Sequence, residues 1–218
     1  MAVNRCVDTR KNVELTLTDV SLTADEYSST YGNPQPLTIG GSDDGTKVTM
    51  NNVIINAGTT GYGIITFVKT ELEATDANIS GYSALYVKPG SEYSTFSFTK
   101  STLEGSTFNN DVEGNSFSTV AVRANNVTVY TDPNTSVISK GFYFSAMSLG
   151  GSSENEKTTN NVEITFAGTI TGNILPNSDN LVNNTVKVSA DYKTTLEEGG
   201  YNVSEPENGL ITILPLGE

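Results

Sequence analysis

The stretch KVTMNNVIIN, residues 47–56, alternates apolar and polar residues, breaks at Asn51-Asn52 and resumes with the apolar phase shifted by one residue. Strict alternation is typical of a β-strand with one buried face. The polar break therefore predicts two short strands joined by a tight bend, with the apolar side chains of both turned toward one interior. Whether the pattern recurs along the chain decides the fold.

The pattern does recur, with apolar residues at offsets 0, 2, 5 and 7 and two polar residues in the break. Successive copies begin 33, 24 and 24 residues apart, and the extra length falls in stretches rich in Gly, Asn and Ser, which are typical of loops. A polar residue, Ser101, takes the third apolar position of the last copy. The copies are LTLTDVSL (15–22), VTMNNVII (48–55), LEATDANI (72–79) and FSFTKSTL (96–103).

A second motif follows the first and adds a third strand to each unit. It consists of an aromatic residue followed three and five residues later by apolar residues that we expect to face inward. This assigns Ile65 and Phe67 to the interior. Aligned in this way, the aromatic residues Tyr62, Tyr82 and Phe117 are predicted to form a ladder beside one corner. The copies are GYGIITF (61–67), GYSALYV (81–87) and NSFSTVAV (115–122).

Two architectures explain the first motif. A β-hairpin with a two-residue turn would place offset 2 opposite offset 5 and would lead to an antiparallel sandwich. Such turns favour Asn-Gly, however, and the breaks here include Thr-Asp and Thr-Lys. The other possibility is a corner within one turn of a solenoid, which needs only a short polar bend. The recurring three-strand unit favours the solenoid and predicts a polar column of Asp19, Asn52 and Asp76 at one corner.

These units resemble those of right-handed parallel β-helix proteins of the pectate-lyase-like kind, including β-helix segments of bacterial cell-surface proteins. The resemblance covers roughly residues 12–172 and implies an all-β solenoid with three short strands per rung and irregular loops. We predict rungs over residues 1–172 and, over 173–218 of the same domain, less regular last rungs with a C-terminal cap. Because repeat-like sequence starts almost at once, we also expect the chain to belong to a longer protein.

Composition excludes several kinds of site. The chain has 218 residues, a formal charge of −13, one cysteine and no histidine. Histidine-ligated zinc and Ser-His or Cys-His catalysis are therefore excluded, as is an internal disulfide through Cys6. The negative charge disfavours nucleic acid as a partner. No run of about 18 apolar residues predicts a membrane span.

Polysaccharide-active relatives on this fold would need clustered carboxylates, with a basic residue beside them. The adjacent acidic pair in a Gly-rich loop is Asp43-Asp44, and Arg123 is the one arginine placed within the repeats. A loop Asp-Asp-Gly is more often a turn, and we expect Arg123 to be a surface residue. We expect no cofactor; calcium is the only option that the acidic loops leave open, and they lack the spacing of a six-oxygen site.

The predicted function is that of a non-catalytic, adhesin-like β-helix module of an exported bacterial protein, located outside the cell or on its surface. It would act as a scaffold whose loops contact a glycan or a host or cell-surface protein, with Tyr31, Tyr62, Tyr82, Asp43 and Asp44 as binding candidates. The alternative is a polysaccharide lyase or glycoside hydrolase that acts on one sheet face. An ice-binding array would need regular rows of threonine, which the unequal loops do not favour.

Overall fold

The computed structural model describes residues 4–10, 13–24, 32–41, 45–106, 118–141, 145–150, 158–174 and 179–215, and this part of the chain is mostly β-strand. It also contains two short 3-10 turns and one helix, α1 (Lys193–Glu198). The strands are β1 (Val7–Thr9), β2 (Glu14–Thr23), β3 (Leu37–Ile39), β4 (Thr46–Asn56), β5 (Tyr62–Thr66), β6 (Thr70–Thr75), β7 (Asn78–Gly81), β8 (Ser83–Val87), β9 (Thr95–Thr99), β10 (Thr102–Ser106), β11 (Ser118–Val122), β12 (Thr128–Thr131), β13 (Ser136–Lys140), β14 (Ser145–Leu149), β15 (Glu163–Phe166), β16 (Thr169–Thr171), β17 (Thr185–Ser189), β18 (Asn202–Val203) and β19 (Leu210–Leu214).

These strands form two large sheets in which parallel pairing dominates. The first sheet has the order β1-β3-β5-β8-β11-β14, and every neighbouring pair in it is parallel. The second has the order β16-β13-β10-β7-β4-β6-β9-β12-β15-β17-β19-β18, with β2 beside β4. The first part of β4 pairs with β6 and its last part with β7, so this sheet has two arms that meet in β4.

The opening stretch of the sequence lies in β4 and is not a hairpin. Met50 is in parallel register with Leu17 on one side and Ala74 on the other, while Val53 is in register with Val20. Both Met50 and Val53 are buried in the main core. A hairpin would have placed these two residues opposite each other in an antiparallel pair, so the antiparallel alternative is wrong for this segment.

The shift in apolar phase comes from one left-handed residue at each break. The second residue of the break has a φ of +55° at Asp19, +53° at Asn52, +52° at Asp76 and +49° at Lys100. A left-handed residue turns the chain and lets the next side chain face the interior again; Asn and Asp tolerate this conformation better than most residues. The side-chain amide of Asn52 donates a hydrogen bond of 2.7 Å to the Asp19 carboxylate. This contact confirms the predicted polar column for these two residues.

Strand β5 differs from its prediction by one position. Ile64, rather than Ile65, is in register with the buried Leu85 and belongs to the main core. Ile65 lies in a separate apolar cluster, and the side chain of Phe67 is 39% exposed. The assignment of Ile65 and Phe67 to the interior is therefore wrong.

The reason lies in the start of the strand. Tyr62 is in register with Ser83, which means that Tyr62 and Tyr82 occupy different positions of the repeat. The inward residue follows two positions after Tyr62 but three positions after Tyr82. Register is set by hydrogen bonds between distant segments, and an alignment based on aromatic residues could not detect this difference.

As a consequence, a threonine occupies an inward position of the first sheet. Thr66 is in register with Val87 and is fully buried. Its hydroxyl is within hydrogen-bond distance of the Val68 carbonyl at 2.9 Å, the Thr70 hydroxyl at 2.7 Å and the Ser91 hydroxyl at 3.3 Å. Because the buried hydroxyl is satisfied, it carries little penalty.

The main core is one continuous cluster to which both sheets contribute. Its bulkiest members include Phe96, Phe98 and Phe166, which are fully buried on β9 and β15. Since inward positions of neighbouring strands are in register, apolar side chains from successive repeats stack on one another. This stacking explains how a chain with 36% hydrophobic residues can bury a continuous core.

Near the C-terminus the pairing changes from parallel to antiparallel. Strand β17 is parallel to β15, whereas β19 is antiparallel to β17 and β18 is antiparallel to β19. Leu196 of α1 is buried in the main core. The Tyr192 hydroxyl bonds to both the carbonyl and the amide of Ile170 in β16. This region falls within residues 173–218, whose assignment as last rungs and cap stays a prediction.

Candidate functional site

Two of the five predicted binding residues come together in the structure. Tyr62 is the first residue of β5 and Tyr82 immediately precedes β8. Their rings meet edge to face with centroids 6.4 Å apart and planes inclined at 79°. Tyr31, Asp43 and Asp44 lie outside the described residues, as does Phe117 of the predicted aromatic ladder. The two tyrosines form a contact pair, and their roles as ligand contacts stay predictions.

A third tyrosine, Tyr86, which is not among the predicted binding residues, completes the group. The ring of Tyr86 lies 4.7 Å from that of Tyr62 with an interplanar angle of 34°. On its other side, the Lys88 ammonium lies 5.2 Å from the centroid of the Tyr86 ring, within the range of a cation–π contact. We refer to Tyr62, Tyr82 and Tyr86 as the tyrosine cluster. Tyr62 and Tyr82 are half-buried and Tyr86 is buried.

The tyrosine cluster packs on an apolar row that is separate from the main core. Ile65, Tyr86 and Ala121 are register partners on β5, β8 and β11, and all three are buried. They alternate with inward residues such as Ile64 and therefore belong to the opposite face of the sheet. The first sheet is thus buried on both faces at this row. Every residue of β8 and β11 is buried, and so is every residue of β5 after Tyr62.

Arg123 is buried next to this cluster, which corrects the expectation of a surface residue. Its exposed fraction is 5%. The backbone amide of Arg123 donates to the Val87 carbonyl at 2.8 Å, which continues the parallel ladder past the end of β11. Its guanidinium donates to the Val122 carbonyl at 3.4 Å and is close enough to Tyr62 to stabilise the ionised phenol. The sequence around a single arginine carried no signal for this burial.

The environment of Tyr62 strongly favours the neutral phenol. Burial, followed by the neighbouring Tyr86, raises the pKa of Tyr62 to about 12. A hydrogen bond with Asn33 and the positive charge of Arg123 act in the opposite direction without cancelling the effect. At neutral pH the hydroxyl of Tyr62 is therefore a hydrogen-bonding group and not an anion.

This shift predicts a loss of stability in alkaline solution. The phenol of Tyr62 ionises near 10 in the unfolded chain and near 12 in the folded protein. Its contribution should be fully present below pH 10 and should be lost as the pH rises through about 12, because the unfolded state then binds fewer protons. Urea unfolding across this range measures the loss. Tyr62→Phe should show a smaller loss than the wild type; equal losses would contradict the assignment to Tyr62 and point to Tyr201, whose pKa burial also raises.

Asp132 lies at the corner between β12 and β13 and is the centre of a group of hydrogen bonds. Burial raises the pKa of Asp132, but hydrogen bonds from the Thr135 hydroxyl, the Lys100 amide and the Asn134 side chain lower it. The net effect is a pKa below the usual value for aspartate. The first two bonds measure 2.6 and 3.0 Å. The carboxylate thus joins its own corner to that of the preceding repeat. A carboxyl group held ionised in this way suits a structural role and not that of a proton donor.

The described residues contain no group of three or more His, Cys, Asp or Glu side chains that could hold a metal ion. Within these ranges, no helix is long and apolar enough to cross a membrane. Comparison with known proteins gives no match to a family model, a curated protein or a solved structure.

Proposed function

We propose that the chain coils as a right-handed parallel β-helix with three strands per rung, similar to the pectate-lyase-like proteins. The repeat that contains β6, β7 and β8 supports this fold, since it gives one strand to each arm of the second sheet and one to the first sheet. The next repeat adds β9, β10 and β11 to the same three stacks, in parallel register. The right hand follows the strong preference of parallel crossover connections.

We propose further that this coil is a non-catalytic scaffold of an exported bacterial protein that presents loops to a glycan or a protein at the cell surface. One observation carries the proposal: the register is independent of the length of the connections. Phe96 pairs with Leu72, 24 residues earlier, and with Val129, 33 residues later. A scaffold of this kind can carry loops of different length and sequence while its sheets stay unchanged.

The outward surface fits a module that works in solvent. Ion pairs join neighbouring repeats, between Lys140 and Glu104 at 2.6 Å and between Lys187 and Glu163 at 3.3 Å. Exposed pairs of this type contribute little to stability but keep the surface hydrated. In this proposal, the antiparallel strands β18 and β19 serve as the cap that protects the last rung from further strand addition.

Within this function, the tyrosine cluster is the proposed contact site. Half-buried tyrosine rings combine an apolar face with a hydroxyl group and are common at contact surfaces. Fluorescently labelled protein should bind members of a glycan array or a panel of surface proteins, and Tyr82→Ala should weaken that binding about tenfold. Tyr93→Ala is the matched control, because Tyr93 is a 67% exposed tyrosine in a turn outside the cluster.

Two results would contradict the proposal. The first is equal binding by Tyr82→Ala and the control, which would remove the tyrosine cluster from the contact surface. The second is release of reducing ends or unsaturated products from a polysaccharide, with loss of that activity in Asp43→Asn or Asp44→Asn. That outcome would make the protein an enzyme.

A further inference from the structure

A cleft of about 580 Å³ lies where the parallel stack ends. One wall is formed by the corners that follow β12 and β15, including Pro133 and Gly168, and the other by the segment around Asp191 and the turn Asn208-Gly209. The ring of Tyr130, on the outer side of β12, also lines it and is 41% exposed. The cleft is remote in sequence from the tyrosine cluster and shares no residue with it.

The walls of the cleft are held by backbone hydrogen bonds. Asn208 and Gly209 have φ values of +52° and +78°, and the amide and carbonyl groups of Glu207 and Leu210 pair across them at 2.8 and 3.0 Å. This is the geometry of a tight hairpin turn, for which Asn-Gly is the preferred sequence. The Gly209 carbonyl in turn accepts a bond of 2.9 Å from the Ala190 amide. The turn is thereby fixed to the segment that forms the rest of this wall.

The opposite wall is equally constrained. A Cβ atom on Gly168 would collide with the backbone carbonyls of Thr135 and Asp132, so the corner after β15 lies directly on the corner before it. The Tyr192 hydroxyl ties the far side of the cleft to the backbone of Ile170. The cleft is therefore formed in advance of any ligand, which lowers the entropic cost of binding.

The chemistry of the lining points to one class of ligand. Tyr130 and Pro133 offer flat apolar surfaces on which the CH groups of a sugar ring can pack. Asp191 and Asn208, both exposed, offer a carboxylate and an amide that can bond to pairs of hydroxyl groups. The Asp191 carboxylate repels an anionic ligand. We propose that this cleft is a binding site for a neutral saccharide of a few residues.

This inference deepens the proposed contact function by adding a second site and naming its ligand class. It does not depend on the tyrosine cluster. The two can therefore fail separately: a saccharide can occupy the cleft whether or not the tyrosine cluster contacts a partner.

The test is a titration of the full chain, labelled with ¹⁵N, with cellotetraose, xylotetraose and mannotetraose, and with tetragalacturonate as the acidic comparison. At least one neutral probe should shift the amide resonances of Gly168, Asn208 and Gly209. Tyr130→Ala should weaken that binding about tenfold, whereas Tyr130→Phe, which keeps the ring, should retain it within about threefold. Tyr93→Ala, with an exposed tyrosine removed elsewhere, should bind as the wild type does.

Asp191→Asn provides a second variant in case Tyr130→Ala fails to fold, as judged by circular dichroism. It keeps the size of the side chain at an exposed position. This variant should bind the neutral probes more weakly and tetragalacturonate more tightly than the wild type does. The proposal is overturned if no neutral probe shifts the cleft amides at millimolar concentration, if Tyr130→Ala binds like the wild type, or if tetragalacturonate binds the wild type more tightly than the neutral probes. Amide shifts confined to residues around Tyr62 would contradict saccharide binding in the cleft and would place the contact site at the tyrosine cluster.

Discussion

Phe98→Ala should lower the free energy of unfolding by about 3–5 kcal/mol, the usual range for removing a buried phenylalanine side chain. Phe98 is fully buried on β9, and its register partners on the two neighbouring strands are Ala74 and Thr131. Since both neighbours are small, neither can fill the space that the ring leaves. The truncation should therefore create a cavity in the centre of the stack, where each repeat depends on contact with the next.

Equilibrium unfolding in urea, followed by circular dichroism, measures this effect. The matched control is Ser97→Ala, one residue earlier on the same strand, where the side chain points to the outer face. We expect the control to change the free energy of unfolding by no more than about 0.5 kcal/mol. Equal effects of the two substitutions would contradict the assignment of Phe98 to the interior, and with it the assignment of the two faces of β9.

Asn52→Val should lower the free energy of unfolding by about 2 kcal/mol, the largest effect that we expect after that of Phe98→Ala. Asn52 has a φ of +53° and donates a hydrogen bond of 2.7 Å to Asp19. Valine is branched at Cβ and is strained in the left-handed conformation, and it cannot replace the donor. The bend in β4 would then have to open, which would weaken both arms of the second sheet at once.

Asn52→Gly separates these two causes. Glycine adopts positive φ without strain, so this variant should lose only the hydrogen bond, about 0.5–1.5 kcal/mol. The urea midpoint should be highest for the wild type, lower for Asn52→Gly and lowest for Asn52→Val. If the valine variant were as stable as the glycine variant, the left-handed corner would not be what determines the bend.

Several features of the fold could be predicted because they are local. The alternation within residues 47–56 predicts strands, and the polar break at Asn51-Asn52 predicts a bend. The preference of Asn and Asp for positive φ places that bend at one residue. The hairpin turn at Asn208-Gly209 is equally local, because Asn-Gly is a strong short-range signal for a two-residue turn. The prediction of less regular rungs and a cap over residues 173–218 does not include this turn.

Other features depended on contacts between segments far apart in the chain. Ile64 instead of Ile65 faces the core because β5 takes its register from β8, and Arg123 is buried where the backbone ladder between β8 and β11 continues to Val87. Tyr86 joined the candidate site for the same reason. None of these residues carries a short-range pattern that differs from its neighbours.

Hydrophobic period and backbone preference act over a few residues, so the amino-acid pattern is enough to predict short strands with polar corners that repeat along the chain. No local pattern indicates which faces are covered, which tyrosines meet or where a cleft opens at the end of the stack; these features are visible in the folded molecule alone. These properties depend on interstrand register and on the change from parallel to antiparallel pairing at β19. Both are set by hydrogen bonds between segments that are distant in sequence.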